Sequence, residues 1–368
     1  MKALHVILVV LVVVLAAASA AVIASTVRDD GTADAPQEEE EEPAEDPTYP
    51  EGVTVDLSTG TVTCAEESRW TIYDLLETYY VVSGYTWSRY TGDTSTGTEI
   101  TLSPGMYRIT VGGETFDVTV PGTLERTVSW TYDMDGTEHG MSVTYTLDVS
   151  DLAAQKTDSL EFNDSGDYSS FSNLPELVQV TSDVTNLEEL LEAEYLRIGG
   201  DTSDEQGYAD FLAAFVQLCI TYPHRESGHG ADYCIYGSGE YWARPLETLC
   251  ILYGDCEDTS ALLCALYAAA GYQAAMGGAS GHVYAGVAID GFAEVTQERL
   301  KSLDIYREYT LAAFVPVEGS CEGALAETVF YGVETIYDQL PVGYLTTGIA
   351  GNIGSKTTWG TAGFYPVA

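Results

Sequence analysis

Cationic side chains are scarce in this chain: 368 residues carry 14 Lys and Arg against 57 Asp and Glu, a formal net charge of −43. Such a surface repels phosphate backbones and anionic head groups, which excludes nucleic acid as a partner. Two uses for the charge remain, a solvated acidic surface suited to high salt or an extracellular setting, and a preference for cationic substrates or divalent ions. Cofactor signatures are lacking too. There is no glycine-rich phosphate loop, no helical metal pair and no nicotinamide fingerprint, so no cofactor is expected. Charged residues make up only 19% and hydrophobic ones 45%, a balance that favours a folded chain over a disordered polyelectrolyte.

The N-terminus reads as an export segment: Lys2, then an apolar run from Val6 to Ile23, with Ala18-Ser19-Ala20 as a small-residue cleavage site. The run lies at the lower limit for spanning a bilayer, so residues 1–27 are a membrane anchor or a cleaved signal. The anchor is preferred. Lys2 marks the cytoplasmic side, which puts the rest at the cell surface, or secreted if the segment is removed. Residues 28–50 hold five consecutive acids, Glu38 to Glu42, among Pro36, Pro43, Pro47 and Pro50, and should be an extended, self-repelling linker.

Residues 51–125 alternate like strands, as in Met106-Tyr-Arg-Ile-Thr-Val111 and Thr115-Phe-Asp-Val-Thr-Val120, with a short helix expected near Thr71 to Tyr80. A small β-sandwich with no catalytic constellation is the expectation there. A second module, 128–345, opens with a hairpin turning at Asp133-Met-Asp-Gly136, and residues 346–368 remain as a C-terminal tail. Asp133 and Asp135 resemble the start of a calcium loop, but Thr144 stands where the loop needs Glu, so a turn is the reading. Helical spacing follows at Asn186 to Leu196 and again after Ser203, where Gln206 would complete a capping box and Tyr208, Phe211, Leu212, Phe215, Val216 and Cys219 share a face. That face is packing.

Chemistry is concentrated around Gly254-Asp-Cys-Glu-Asp-Thr-Ser260, ahead of an apolar helix that stops at Gly271. Gly254 permits a tight entry, Asp255 can cap the free amides and Cys256 sits in the opening turn. Free amides and the positive end of the helix dipole favour the thiolate, the nucleophilic form. Cys264, two turns on, reads as inert packing. His282 opens the strand His282 to Ile289 and is the candidate base. Its orienting acid is sought in sequence: Asp290 would stand roughly 26 Å away along an extended strand, Glu318 ends the strand Ala312 to Glu318 that could lie beside it, and Glu298 is the runner-up through a hairpin at Asp290-Gly291. Seven cysteines in an exported chain leave one unpaired, with Cys256 the candidate for the free thiol, and the other six either bridged in one of fifteen ways or buried and reduced. His224, His229 and Cys234 have a spacing that invites zinc, but their polar, glycine-containing segment reads as an exposed loop, so no metal is expected.

Between about Val128 and Leu345 the chain resembles the transglutaminase-like superfamily of cysteine enzymes, most closely its archaeal extracellular branch. The likeness rests on Phe215-Val-Gln-Leu-Cys-Ile-Thr-Tyr222, Glu240-Tyr-Trp-Ala-Arg-Pro-Leu-Glu-Thr-Leu249, Gly254 to Ser260, Gly271-Tyr272, Gly281-His282 and Val315-Pro-Val-Glu318. It implies an α+β fold with a papain-like core, a cysteine-bearing helix packed on an antiparallel sheet. It implies Cys256 as nucleophile, His282 as base and then acid, and Glu318 orienting the imidazole where many members use Asp. The Cys256 amide would serve the oxyanion hole, Trp242 or Tyr241 would line the cleft, and Asp258 would brace the helix start.

The function expected is extracellular cysteine-dependent acyl transfer on amide bonds of a protein or peptide substrate, through a thioester on Cys256 resolved by water or by an amine. A non-catalytic surface protein, binding through some of its 26 tyrosines, is the reading from another class. An amidase acting on glycosylated asparagine shares the same three groups. The membrane is a partner through the N-terminal segment only.

Overall fold

The computed structural model describes residues 49–367 apart from 77–79, 84–85, 90–91, 166–170, 223–230, 238, 280–281, 297–298, 301–313, 317, 322–324, 337 and 347–363. The export segment, the acidic linker, His224, His229 and Glu298 lie outside the described residues. Tyr49–Ala368 is one compact unit, mixed in helix and strand with curled antiparallel sheets, which makes it α+β. Among the described residues no helix is long and apolar enough to cross a membrane.

The first strands are β1 (Val53–Asp56), β2 (Thr61–Asp74), β3 (Tyr80–Ser83), β4 (Thr86–Arg89), β5 (Asp93–Thr101), β6 (Gly105–Val111) and β7 (Glu114–Val120). Five of them form one sheet in the order β1-β2-β6-β7, with β5 also paired to β2. Two facing sheets were expected; a single curled one is found. β2 is the cause. Its register against β5 shifts between Thr63 and Ser68, and the two halves of this long strand serve β1 and β6 respectively. Such an irregularity bends a strand and raises its twist. The concave face closes over Val62, Trp70, Ile100, Ile109, Val118 and Val120. The helix expected near Thr71 does not form, because Thr71 to Asp74 complete β2 against β6 and Tyr80 begins β3.

β8 (Thr123–Met134) and β9 (Thr137–Asp148) form the long hairpin. Its turn needs no ion: Asp133 Oδ1 accepts from the Gly136 amide at 2.6 Å, and Asp135 takes a left-handed φ of 53°. Alternate residues Val128, Trp130, Tyr132 and Met141, Val143, Tyr145 face inward. Helices α1 (Val149–Ser165), α2 (Ser182–Arg197) and α3 (Glu205–Cys219) follow. α2 starts earlier than its apolar spacing suggests, since Thr181 accepts from the Val184 amide and caps it. The cap of α3 is Asp204, accepting from Gly207 N at 3.1 Å, rather than the Ser203 box.

Short helices α4 (Ala231–Ile235) and α5 (Pro245–Ile251) lead into α6 (Cys256–Ala269). α6 is apolar on every side from Ala261 to Tyr267, all fully buried, and a helix apolar all round must lie inside. It packs on β10 (Ala274–Ala279) and β11 (His282–Val287), with α2, α3 and α5 around it. The remaining strands are β12 (Phe314–Pro316), β13 (Glu318–Gly319), β14 (Phe330–Val333), β15 (Tyr344–Thr346) and β16 (Phe364–Pro366). The second five-stranded sheet runs β13-β14-β11-β10-β16, so the residues expected to be a tail supply an edge strand.

Candidate active site

The mouth of α6 is built by backbone economy. Asp255, extended, is the N-cap, and its side chain and that of Asp258 form a reciprocal capping box. Gly254 precedes it because a Cβ there would lie 2.9 Å from the Asp258 Cβ. Asp258 is a brace: Oδ1 accepts from Ala243 N at 2.7 Å, and Oδ2 accepts from the Tyr236 hydroxyl at 3.0 Å and from Asp255 N at 3.3 Å. The Asp255 carboxylate also takes the Glu257 amide, and Thr259 N donates to Asp255 O at 3.1 Å. Cys256, at the first helical position, is left with its own amide facing the helix mouth.

The Cys256 sulfur meets the strand that carries the candidate base. The Val283 N–H, one residue beyond His282, lies near enough to Sγ to favour its thiolate. His282 is at the start of β11, opposite Ala279, and its Nε2 stands 3.2 Å from Glu334 Oε1, a close contact not aligned as a hydrogen bond. Glu334 is wholly buried. It is the residue after β14, which pairs with β11 through Ala285–Val333, Gly286–Gly332 and Val287–Tyr331, so the chain runs from Val333 toward the His282 end. Thr335 N donates to Glu334 Oε1 at 3.1 Å, and the Thr335 and Thr259 hydroxyls are 2.7 Å apart. The turn that carries the acid is thereby tied to the helix that carries the cysteine.

Glu318 is not the partner of His282. It lies exposed on β13 opposite Tyr331, which itself faces Val287 at the far end of β11. β14 intervenes, and five residues of strand from Val287 to His282 span roughly 17 Å. Asp290 donates its amide to Glu205 and is exposed. Tyr241 and Trp242, expected at the cleft, are packed inside the fold. Both are buried, the Tyr241 hydroxyl donating to Glu247 Oε2 at 2.9 Å, and Trp242 stacking on Phe162 with its indole N–H on Glu240 Oε1 at 2.7 Å. They hold the segment before α5 in place.

Carboxylates dominate the electrostatics. The thiol is 8% exposed, and its S–H donates to Glu257 Oε2 at 3.0 Å. Burial first, then the charges of Glu257 and Asp255, push the Cys256 thiol well above its ordinary range, opposed by the Val283 N–H. Cys256 therefore rests as the neutral thiol. Burial and the neighbouring acids also raise Glu257 and Asp258 well above the carboxylate range, and push Asp232 up to about 8. Tyr222 is raised by burial and by Cys256, Asp255, Glu257 and Glu334, which keeps its hydroxyl neutral beside them. Cys264, by contrast, donates to Ala275 O and is pushed up to about 12 by burial alone. Cys64, Cys219, Cys250, Cys256, Cys264 and Cys321 are all free, so among the described residues the cysteines form no bridge.

Sequence reasoning missed Glu334, Glu257, Asp232 and Tyr222. Tyr222 and Glu257 lie inside the quoted motifs, and their burial among acids was the hidden part. Glu334 follows a four-residue strand, Phe-Tyr-Gly-Val, too short to announce itself. Among the described residues, Asp232, Glu240, Asp255, Cys256, Glu257 and Asp258 lie close enough in groups of three to share a metal ion. No protein family, no curated protein and no solved structure matches the chain.

Proposed function

We propose that the protein is an extracellular cysteine-dependent acyltransferase or hydrolase acting on amide bonds, built on a transglutaminase-like, papain-like core. The observation that supports this most is the convergence of three chain-distant segments: a sulfur at a helix mouth, the start of β11 beside that sulfur, and Glu334 against the imidazole of His282. Nε2 faces the acid, which leaves Nδ1 as the ring nitrogen for the thiol proton. Cys256 Sγ passes its proton to His282 and attacks the amide carbonyl. The carbonyl oxygen gains charge toward the Cys256 amide, and the protonated imidazole delivers the proton to the departing amine. Water or a second amine, deprotonated by His282, then resolves the thioester. Glu334 keeps the imidazole oriented and stabilises its cation.

The buried thiol bonded to Glu257 supports a second reading, a surface protein that keeps this fold for binding. One experiment separates the two. The purified protein is incubated with a peptide library with and without a primary amine, beside Cys256→Ala. Cleavage or amine incorporation that disappears in the variant supports the enzyme; turnover equal in both proteins, or absent from both, sinks it. Export and attachment through the N-terminal segment belong to the same proposal and are checked by membrane fractionation.

A further inference from the structure

Beside the cysteine helix the protein gathers carboxyl groups that no Lys or Arg among the described residues answers. Asp232 on α4, the cap Asp255 and the brace Asp258 each bring one carboxylate oxygen within 4.8 Å of the others. Asp232, Glu240 and Glu257 make a second, overlapping group with the same limit, and Asp255, Cys256 and Glu257 a third that includes the sulfur. Asp232 is only 3% exposed. Its Oδ2 accepts from the Tyr241 amide at 3.0 Å, while Oδ1 is buried with no partner. Asp255 Oδ1 is in the same condition. Two buried carboxyl oxygens without a partner are costly whether or not the groups hold protons, because a buried polar atom is tolerated when it is bonded or ligated.

The Lys and Arg side chains among the described residues go elsewhere. Lys156 pairs with Glu247, Arg244 with Asp158 and Arg299 with Asp133, and among the described residues no Lys or Arg forms an ion pair with Asp232, Asp255, Asp258 or Glu257. Protons held on these acids leave Asp232 Oδ1 and Asp255 Oδ1 without a partner all the same. Oxygens bound to one calcium ion at about 2.3–2.6 Å lie no more than about 5 Å apart, a span this set meets as it stands. The donors of the first two groups are all carboxylates from three separate segments, the set that hard cations take and soft ones do not.

We propose that Asp232, Asp255 and Asp258, with Glu240 and Glu257 at the edge, form a binding site for one hard divalent cation of the calcium class. The site adjoins Cys256 but does not use its sulfur, so it stands apart from the acyl-transfer reading. It also gives the excess of acid a specific use at one place in the fold.

The test is terbium luminescence on the full chain after chelator treatment, excited through the nearby tyrosines and Trp242, followed by displacement with calcium. A saturable signal reversed by calcium is expected. Asp232→Asn keeps an acceptor for the Tyr241 amide and should weaken binding at least tenfold. Glu240→Gln should weaken it less, and Glu99→Gln, on an exposed strand, not at all. Circular dichroism checks each fold, and if Asp232→Asn unfolds, the contrast between Glu240→Gln and Glu99→Gln decides. Cys256→Ala should bind as wild type even if no amide is ever cleaved. Non-saturating emission, equal loss in Glu99→Gln, undiminished binding in folded Asp232→Asn, or binding lost with the sulfur would each overturn the site.

Discussion

The two five-stranded antiparallel sheets of this protein bury opposite kinds of chemistry. The N-terminal sheet closes over Val62, Trp70, Ile100, Ile109 and their neighbours, and none of the buried polar or charged side chains comes from it. The second sheet and the helices on it bury Asp183, Glu188, Asp232, Arg244, Glu247, Glu257, Asp258 and Glu334. The strands are paired by the same backbone rules in both. What differs is how buried polar groups are answered: in the second region by capping amides, tyrosine hydroxyls and an imidazole, each supplied from a distant part of the chain. A sheet that packs only aliphatic groups can stabilise; reactivity needs charge held where water cannot screen it.

The sharpest way to break the comparison is at Glu334. Glu334→Gln should lower amide turnover by two to four orders of magnitude through loss of imidazole orientation, whereas Glu318→Gln should leave it unchanged; equal losses would return the acid to β13. In the aliphatic sheet, Trp70→Ala should cost about 3–5 kcal/mol by denaturant melt, with turnover per folded molecule unaltered. Thr335→Val removes the hydroxyl contact between the acid turn and α6, and should cut kcat roughly tenfold, an effect on the scale of one lost hydrogen bond of about 1.4 kcal/mol, with little change in KM. Glu257→Gln removes the carboxyl that accepts the thiol proton, so the pH profile of iodoacetamide labelling at Cys256 should move to lower pH; an unmoved profile would mean that burial and Asp255 set that thiol.

The smallest effect concerns pH and stability. Burial pushes Asp210 on α3 up to about 7, against the Val342 amide it accepts at 2.6 Å. Its folded affinity for the proton exceeds the unfolded one. The stability it allows is thus complete below its ordinary range near pH 4 and lost as pH rises toward 7. Asp210 is half-buried in the structure, so solvent discounts the effect, and Asp210→Asn should narrow the gap between melting temperatures at pH 5 and pH 8 by roughly 2–4 °C. Trp70→Ala should leave that gap as it is.

The cysteine helix was legible because its signals are local. An acid before Cys256, an acid three places later and an uninterrupted apolar run to Ala269 announce a buried helix with a capped mouth. The start of β11 at His282 was legible for the same reason. The sandwich was not, because a bulge in β2 is a property of its pairing with β5 and leaves no local mark. Glu318 was the best acid available from strand order alone, and it failed because a later strand, β14, inserted itself between β13 and β11.

By itself the sequence determined the acidic surface, the α+β alternation, the capped helix mouth and the strand that follows it, since each depends on composition or on neighbours within a few residues. Only the tertiary structure decided which acid meets His282, that Cys256 rests as a thiol against Glu257, and that Asp232 joins Asp255 and Asp258. Those outcomes depend on strand order and on desolvation, and both arise only when segments far apart in the chain exclude water together.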